Sequence, residues 1–329
     1  MVVVSIPVKV STSQRGIRPV DPARDLPEVV ELIALGFEEE LGPRGQKMLR
    51  EMRRAARPAP YIRLLYATNA GLPGYVWEDG GQIVANLSLR RASASRGRGW
   101  IIGNVVVHPD FRGQGIGRAL MEHAMESARL RDGRWIGLEV RANNEIARTL
   151  YSHLGFHDVG RTAHMIHSPA ADWPAFAAPE AEQWRKAKSE DRQRWARLAA
   201  SIYGRLQLKV MEIYPGRYEF SGLDRTVLLW LRGIREKAWL QATDRPRRAV
   251  RARTERRHHF HHWDLLIHPD QTMEQARAAV TLAMTTLGNH PRWPVVTTVD
   301  VNAPVVPVLE GCGFRHHRTL VQMYCEISS

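Results

Sequence analysis

Residues 105–120 read VVVHPDFRGQGIGRAL, and this stretch decides the fold. A run of β-branched residues ends at Val107, a loop follows with Gly113, Gly115 and Gly117, and Ile116, Leu120, Ala124 and Ala128 then recur at the i, i+4 spacing of an amphipathic helix. Glycines between a strand and a helix let the main chain approach a ligand closely. Successive N–H groups and the positive end of the helix dipole converge there on one point, which suits a pyrophosphate. A plain tight turn would carry the same three glycines, so the loop alone leaves both readings open.

Outward from the loop, strands are expected at GIRPV (16–20), GYVWED (74–79), QIVANLSLRR (82–91) and WIIGNVVV (100–107), with helices over Asp25 to Phe37 and Pro43 to Ala56. Beyond the loop helix come a strand, RWIGLEVRA, a helix, NEIARTLYSHLGF, stopped at Gly155, and a closing strand, HDVGRTAHMIH. The Pro- and Ala-rich SPAADWPAFAAPEAE reads as a linker, and one helix is expected from Glu182 to Tyr203. The pattern then restarts. LLIHPD (265–270) repeats VVVHPD (105–110), and Asn302, Gly313 and Phe314 repeat Asn144, Gly155 and Phe156. The chain is therefore read as residues 1–168, a linker 169–182, and a second copy of the same fold over 183–329.

The second informative string, LEVRANNEIARTLYSHLGF, begins 26 residues beyond Arg112. Taken with the first, it resembles the GCN5-related N-acetyltransferase (GNAT) superfamily. Arg112, Gly115 and Gly117 fit the family's R-x-x-G-x-G motif. Asn144, Ala147, Leu150, Tyr151, Gly155 and Phe156 fit its N-x-x-A-x-x-L-Y-x-x-x-G-F motif. The LEVRANN segment is most similar to the ribosomal-protein alanine N-acetyltransferase branch.

The resemblance implies two tandem GNAT domains, α/β (α+β), each a mixed, mostly antiparallel sheet flanked by helices. It implies acetyl-CoA as co-substrate and no metal. Main-chain groups of Val105 and Val107 would bind the pantetheine arm, as would Asn144. The backbone from Arg112 through Gly113, Gln114, Gly115 and Gly117 to Arg118 would hold the pyrophosphate. An amine must lose a proton to attack a thioester, and the departing thiolate must gain one. By resemblance Tyr151 is the acid and Glu139 the base, with the N–H of Val107 or a neighbour as oxyanion donor. Read without the family, Tyr151 is a core residue of a helix, Glu139 a solvated or ion-paired strand residue, and His108 a turn residue before proline.

The second copy places Thr272, Met273, Glu274, Gln275 and Arg277 opposite Arg112, Gly113, Gln114, Gly115 and Gly117, Leu309 opposite Tyr151, and Thr297 opposite Glu139. Side chains where bare backbone is needed imply a copy that keeps the fold and lacks the chemistry. It would pack on the first domain and shape the acceptor cleft, or act as scaffold alone. Cys312 is expected to be a buried small residue.

Composition bounds the rest. The 329 residues hold 47 Lys and Arg against 34 Asp and Glu, a net charge of +13 that draws polyanions without choosing among them. No apolar run is long enough for a bilayer, no signal peptide is evident, and 2 cysteines cannot form a disulfide framework, so a cytoplasmic location is expected. The run Arg245 to Trp263 is either a solvated hairpin or a surface for nucleic acid or an acidic partner. Its histidines, His258, His259, His261 and His262, alternate across a strand and cannot share one metal. A basic loop over Arg90 to Gly99 would fringe the acceptor site, and Glu38, Glu39 and Glu40 either attract a cationic amine or solvate a helix end. The acceptor is a small-molecule or peptide amine of unspecified identity, and the chain a pseudo-dimeric monomer or a homodimer. The alternative function is a non-catalytic protein that binds acetyl-CoA or nucleic acid.

Overall fold

The structure, a computed structural model, describes residues 15–37, 74–93, 98–169, 184–219, 231–288 and 290–327, with Arg50, Arg53, Val227 and Leu229. The expected helix over Pro43 to Ala56 apart from two positions, the acidic triplet at 38–40, residues 94–97 of the basic loop and residues 170–182 of the linker lie outside the described residues. Chain contacts divide the molecule into two compact units. One comprises Met1–Leu41, Leu49–Arg90 and Ile102–Leu130, and the other Gly42–Met48, Arg91–Ile101 and Arg131–Ser329.

In the first unit, strands β1 (Gly16–Pro19), β2 (Gly74–Asp79), β3 (Gln82–Arg91) and β4 (Gly99–Val107) lie in that order. Helix α1 (Pro22–Phe37) begins at a proline, whose fixed φ suits a first helical turn, and buries Leu26, Val29, Val30 and Ile33 against Val76, Ile83 and Val106. Helix α2 (Ile116–Arg129) buries the expected stripe of Ile116, Leu120, Ala124 and Ala128, together with Met121.

The second unit holds β5 (Trp135–Arg141), α3 (Glu145–His153), β6 (His157–His167), β7 (Trp184–Lys186), α4 (Arg192–Ile202), α5 (Arg205–Val210), β8 (Ile234–Gln241), β9 (Arg248–Glu255), β10 (Phe260–Ile267), α6 (Met273–Thr286), β11 (Val295–Asp300), α7 (Val305–Gly311) and β12 (Phe314–Glu326). The strand order is β5-β12-β6-β11-β10-β9-β8-β7. β10 and β11 are parallel, joined by α6, and the other described pairings are antiparallel. Helices α6 and α7 cover one face, where Ala276, Ala279, Val280 and Ala283 meet Val250, Trp263, Val295 and Met165. On another core, Trp195, Leu198 and Ala199 of α4 pack on Leu240, Ala249 and Leu266.

The helix expected from Glu182 to Tyr203 starts late. Trp184–Lys186 is a strand and Ser189–Asp191 a short 3-10 turn, and the α-helix begins at Arg192. The cause is Asp191, whose carboxylate accepts from Arg185 at 2.6 and 2.7 Å and from the Lys188 N–H at 2.9 Å, turning the chain where a helix would continue.

The last strands of the two repeats are exchanged. β12 sits between β5 and β6, and β6 sits between β12 and β11. A local two-fold relation results: Glu139 on β5 faces Gln322 on β12, and Thr298 on β11 faces His164 on β6. The counterpart of Glu139 is therefore Thr298. Thr297, the residue expected from sequence offset, is fully buried on the opposite face and donates to the Trp263 carbonyl at 3.0 Å. A one-residue slip moves every side chain to the other face of a sheet.

Candidate functional site

The glycine loop lies in the first unit, and Glu139 and Tyr151 lie in the second. Within the first unit, β4 carries Asn104 at φ 51°, a left-handed residue in mid-strand. It is held from both sides: its carbonyl accepts from Asn86 at 2.9 Å, and its amide donates to Ser88 at 3.2 Å. Such a conformation departs from regular strand geometry just before Val105 and Val107. Both are half-buried, while Val106 between them is sealed against α1.

After Val107 the chain turns through His108 and a 3-10 turn, Pro109–Phe111, in which His108 Nδ1 accepts from the Asp110 N–H at 3.4 Å. His108 is thus a turn residue. Gly113 and Gly115 then adopt φ of 77° and 76°, which an L side chain tolerates poorly. A Cβ at either would meet nothing within 4 Å, so the conformation, not crowding, asks for glycine. Gly115 is the N-cap of α2 and no side chain caps that end. The first N–H groups of the helix have no intrahelical partner and lie beside exposed Arg112, Gln114 and Arg118. Arg112 Nε donates to the Val107 carbonyl at 3.2 Å, Arg118 pairs with Glu122 at 2.8 Å, and Gln114 accepts from Arg15 at 3.4 Å.

The second repeat repeats the HPD turn, with His268 Nδ1 2.6 Å from the Asp270 carboxylate, and then diverges. Met273 to Gln275, opposite Gly113 to Gly115 by offset, already form the first turn of α6. A capping box closes that end: Thr272 Oγ1 accepts from the Gln275 N–H at 3.2 Å, and Gln275 Oε1 accepts from the Thr272 N–H at 3.0 Å.

Within the second unit, Glu139 projects from β5 and is accessible to solvent, yet protein on several sides holds its carboxyl above the usual range by desolvation. Gln322 donates to it at 2.8 Å, Arg318 and Arg217 oppose the rise, and Glu212 adds to it. Gln322 also donates to Thr162 Oγ1 at 2.9 Å and accepts from Gln207 at 3.2 Å, so its amide is fixed by three partners. Gly160 makes room for this network, since a Cβ there would lie 2.0 Å from the Gln207 side chain.

Tyr151 sits on α3 at 6% exposure, its ring 6.1 Å from that of Phe156, and burial pushes its phenol up to about 12. Asn144 caps α3, accepting from the Ala147 N–H at 3.1 Å through Oδ1, with its NH2 group left as a donor. Gln322 and Arg318 around Glu139 were not legible in the sequence, because only the strand exchange brings them there, and Arg217 acts on it from the separate turn Pro215–Tyr218.

The basic run is a hairpin of β9 and β10, and its strand arginines are not solvated. Arg251 is fully buried, paired with Asp264 at 2.5 Å and donating to the Arg217 carbonyl at 3.0 Å. Arg253 pairs with Glu236 at 2.7 Å, and Arg248 lies over Trp184. His261 is buried between Thr254 and the Pro291 carbonyl, at 3.0 Å from each, whereas His258 faces Glu255 at 3.0 Å. Among the described residues no cluster of His, Cys, Asp and Glu could hold a metal, and no helix is long and apolar enough to cross a membrane. Cys312 and Cys325 are both buried thiols.

Comparison with known proteins agrees with this architecture. Residues 43–156 match the Acetyltransferase (GNAT) family. The chain is 46% identical over 69 residues to the [ribosomal protein bS18]-alanine N-acetyltransferase of Escherichia coli K12, covering 21% of this chain and 45% of that protein. It is 35% identical over 91 residues to the mycothiol acetyltransferase of Beutenbergia cavernae, covering 26% and 30% of the two chains. The chain thus spans less than half the length of either relative. Among solved structures, a tandem GNAT protein from the clavulanic acid biosynthesis pathway superposes with a TM-score of 0.58 at 19% identity, covering 96% of this chain and 99% of that one. A GCN5-related N-acetyltransferase from Sphaerobacter thermophilus gives 0.62 at 16%, covering 95% and 96%. Residues 43–156 thus match the GNAT family of acetyltransferases, and the fold along nearly the whole chain is that of solved tandem GNAT structures.

Proposed function

We propose that the protein is an acetyl-CoA-dependent N-acetyltransferase, with a catalytic domain over 1–168 and a non-catalytic second domain over 183–329. One observation carries this reading: the uncapped start of α2 behind left-handed Gly113 and Gly115, against the capping box that closes the same point in the second repeat. A diphosphate would satisfy the open N–H groups from Arg112 to Arg118 and the helix dipole, with the guanidiniums of Arg112 and Arg118 adding charge. Val105, Val107 and Asn144 would hold the pantetheine arm, and Arg112 would release the Val107 carbonyl on binding.

The amine attacks the thioester directly in a ternary complex. Glu139 is the base: desolvation brings its carboxyl nearer to neutrality, and the Gln322 amide keeps the ionised form within reach. Tyr151 is the acid that returns a proton to the departing thiolate, and its raised phenol stays protonated at working pH. A neutral main-chain donor near Val107 would stabilise the oxyanion. Amine-dependent thiol release from acetyl-CoA across a broad amine library tests the reading. Release that tracks acetylated product supports it, and silence with every amine overturns it.

A further inference from the structure

Alternate residues of a strand share a face. On the face of the second unit that carries Glu139, three neighbouring strands bring together Glu139 and Arg141 from β5, Gln322, Leu320 and Arg318 from β12, and Thr162 and His164 from β6. Gln322 stands opposite Glu139, Leu320 opposite Arg141, and Arg318 opposite His164.

Like charges meet on this face. Arg318 and Arg141 are both desolvated, and Arg318 lowers Arg141 by like-charge repulsion. His164 is driven down to about 3 by burial and by Arg318, His317, His262 and His316, so it stays neutral. Glu139 is the carboxylate that favours the charged form of Arg318. Three other nearby acids are already engaged: Asp264 with Arg251, Glu236 with Arg253, and Glu212 with the Ser93 N–H at 2.7 Å. Arg318 Nε is sealed from solvent with no hydrogen-bond partner among the described residues. A buried guanidinium donor without an acceptor is costly, and a planar fork of this kind is made to be met by a carboxylate.

We propose that this face takes a primary amine that also carries a carboxylate, the amine delivered to Glu139 and the carboxylate to Arg318, an inference that rests on the acetyltransferase reading. Arg318 lies four residues along β12 from Gln322, roughly 13 Å of strand. Arg318 and the Glu139 carboxyl also act on each other electrostatically, so the amine and the acid of the acceptor are separated by several bonds. The second repeat would then supply the residue that selects the acceptor, through its exchanged strand.

The test uses N-acetyl derivatives of α- and ω-amino acids and their carboxamides, titrated calorimetrically into the full chain with CoA present. At least one N-acetyl acid should bind, with its carboxamide about tenfold weaker or more. Arg318→Gln should remove that difference and Arg318→Lys restore part of it, while CoA affinity stays unchanged in both. Equal affinity for acid and amide, no binding of either class, or a preference that survives in Arg318→Gln overturns the subsite. If Arg318→Gln does not fold, the acid–amide comparison in the unaltered protein decides. Failure of CoA itself to bind would instead overturn the acetyltransferase reading.

Discussion

Gln322, four residues from the end of β12, donates its amide to Glu139 at 2.8 Å, joining the last strand of the second repeat to the proposed base of the first. Replacing Gln322 by Leu removes a donor that favours the ionised carboxylate. The Glu139 carboxyl, already raised by desolvation, should rise further. The acid-side limb of kcat/KM should move to higher pH, with activity recovered as pH increases. A purely structural role would lower activity at every pH and leave the limb in place.

The same carboxyl makes a stability prediction of definite sign. A group whose folded pKa lies above its unfolded value stabilises the fold most below the unfolded pKa, and loses that contribution as pH rises through the folded one. Glu139→Gln, neutral at all pH, should therefore raise Tm relative to the parent at pH 8 and not at pH 4, while abolishing turnover. Tm curves that run parallel across this range would refute the burial argument.

Tyr151→Phe should lower kcat by about 100-fold, the scale of general acid catalysis, with little change in acetyl-CoA affinity. Because burial holds the phenol up to about 12, the parent should show no Tyr151-dependent loss of activity on the basic side below about pH 11. Single-turnover kinetics with calorimetry separate the two effects, and an unchanged kcat would remove the assignment.

Arg251 and Asp264 form a buried pair in which burial pushes the carboxyl up and the charges of Arg251, His262, Arg253 and Arg217 outweigh it, leaving it well below its ordinary value of 3.8. Arg251→Met, which leaves Asp264 alone, should cost about 3–5 kcal/mol in urea unfolding, and Asp264→Leu added to it should recover most of the loss. The pair's contribution is present above the ordinary carboxylate range and fades as pH falls below it. A loss under about 1 kcal/mol would mean that the pair is solvated after all.

What was legible in the sequence was local. The stripe Ile116, Leu120, Ala124 and Ala128 is buried as its spacing requires, and the strand over His157 to His167 ends where its pattern ends. The loop glycines announced backbone that only glycine adopts easily. Long-range pairing was not legible. Nothing in FRHHRTLVQMYCE says that β12 enters beside β5, so Gln322 and Arg318 could not be assigned to Glu139's surroundings. The arginines of β9 looked like a solvated run because their partners, Asp264 and Glu236, lie on neighbouring strands. The missed turn at Ser189–Asp191 depends on one carboxylate folding back on Arg185, a contact that helical periodicity does not encode.

Calorimetric titration of acetyl-CoA tests most directly whether the start of α2, and not that of α6, holds the co-substrate. One site per chain is expected. Gly115→Ala, which forces a side chain into a left-handed position at a cost of about 1–2 kcal/mol, should weaken binding at least about tenfold. Thr272→Ala, which opens the capping box, should cost about 1 kcal/mol of stability and leave acetyl-CoA affinity unchanged. Two sites per chain, or binding lost in Thr272→Ala and retained in Gly115→Ala, would contradict it.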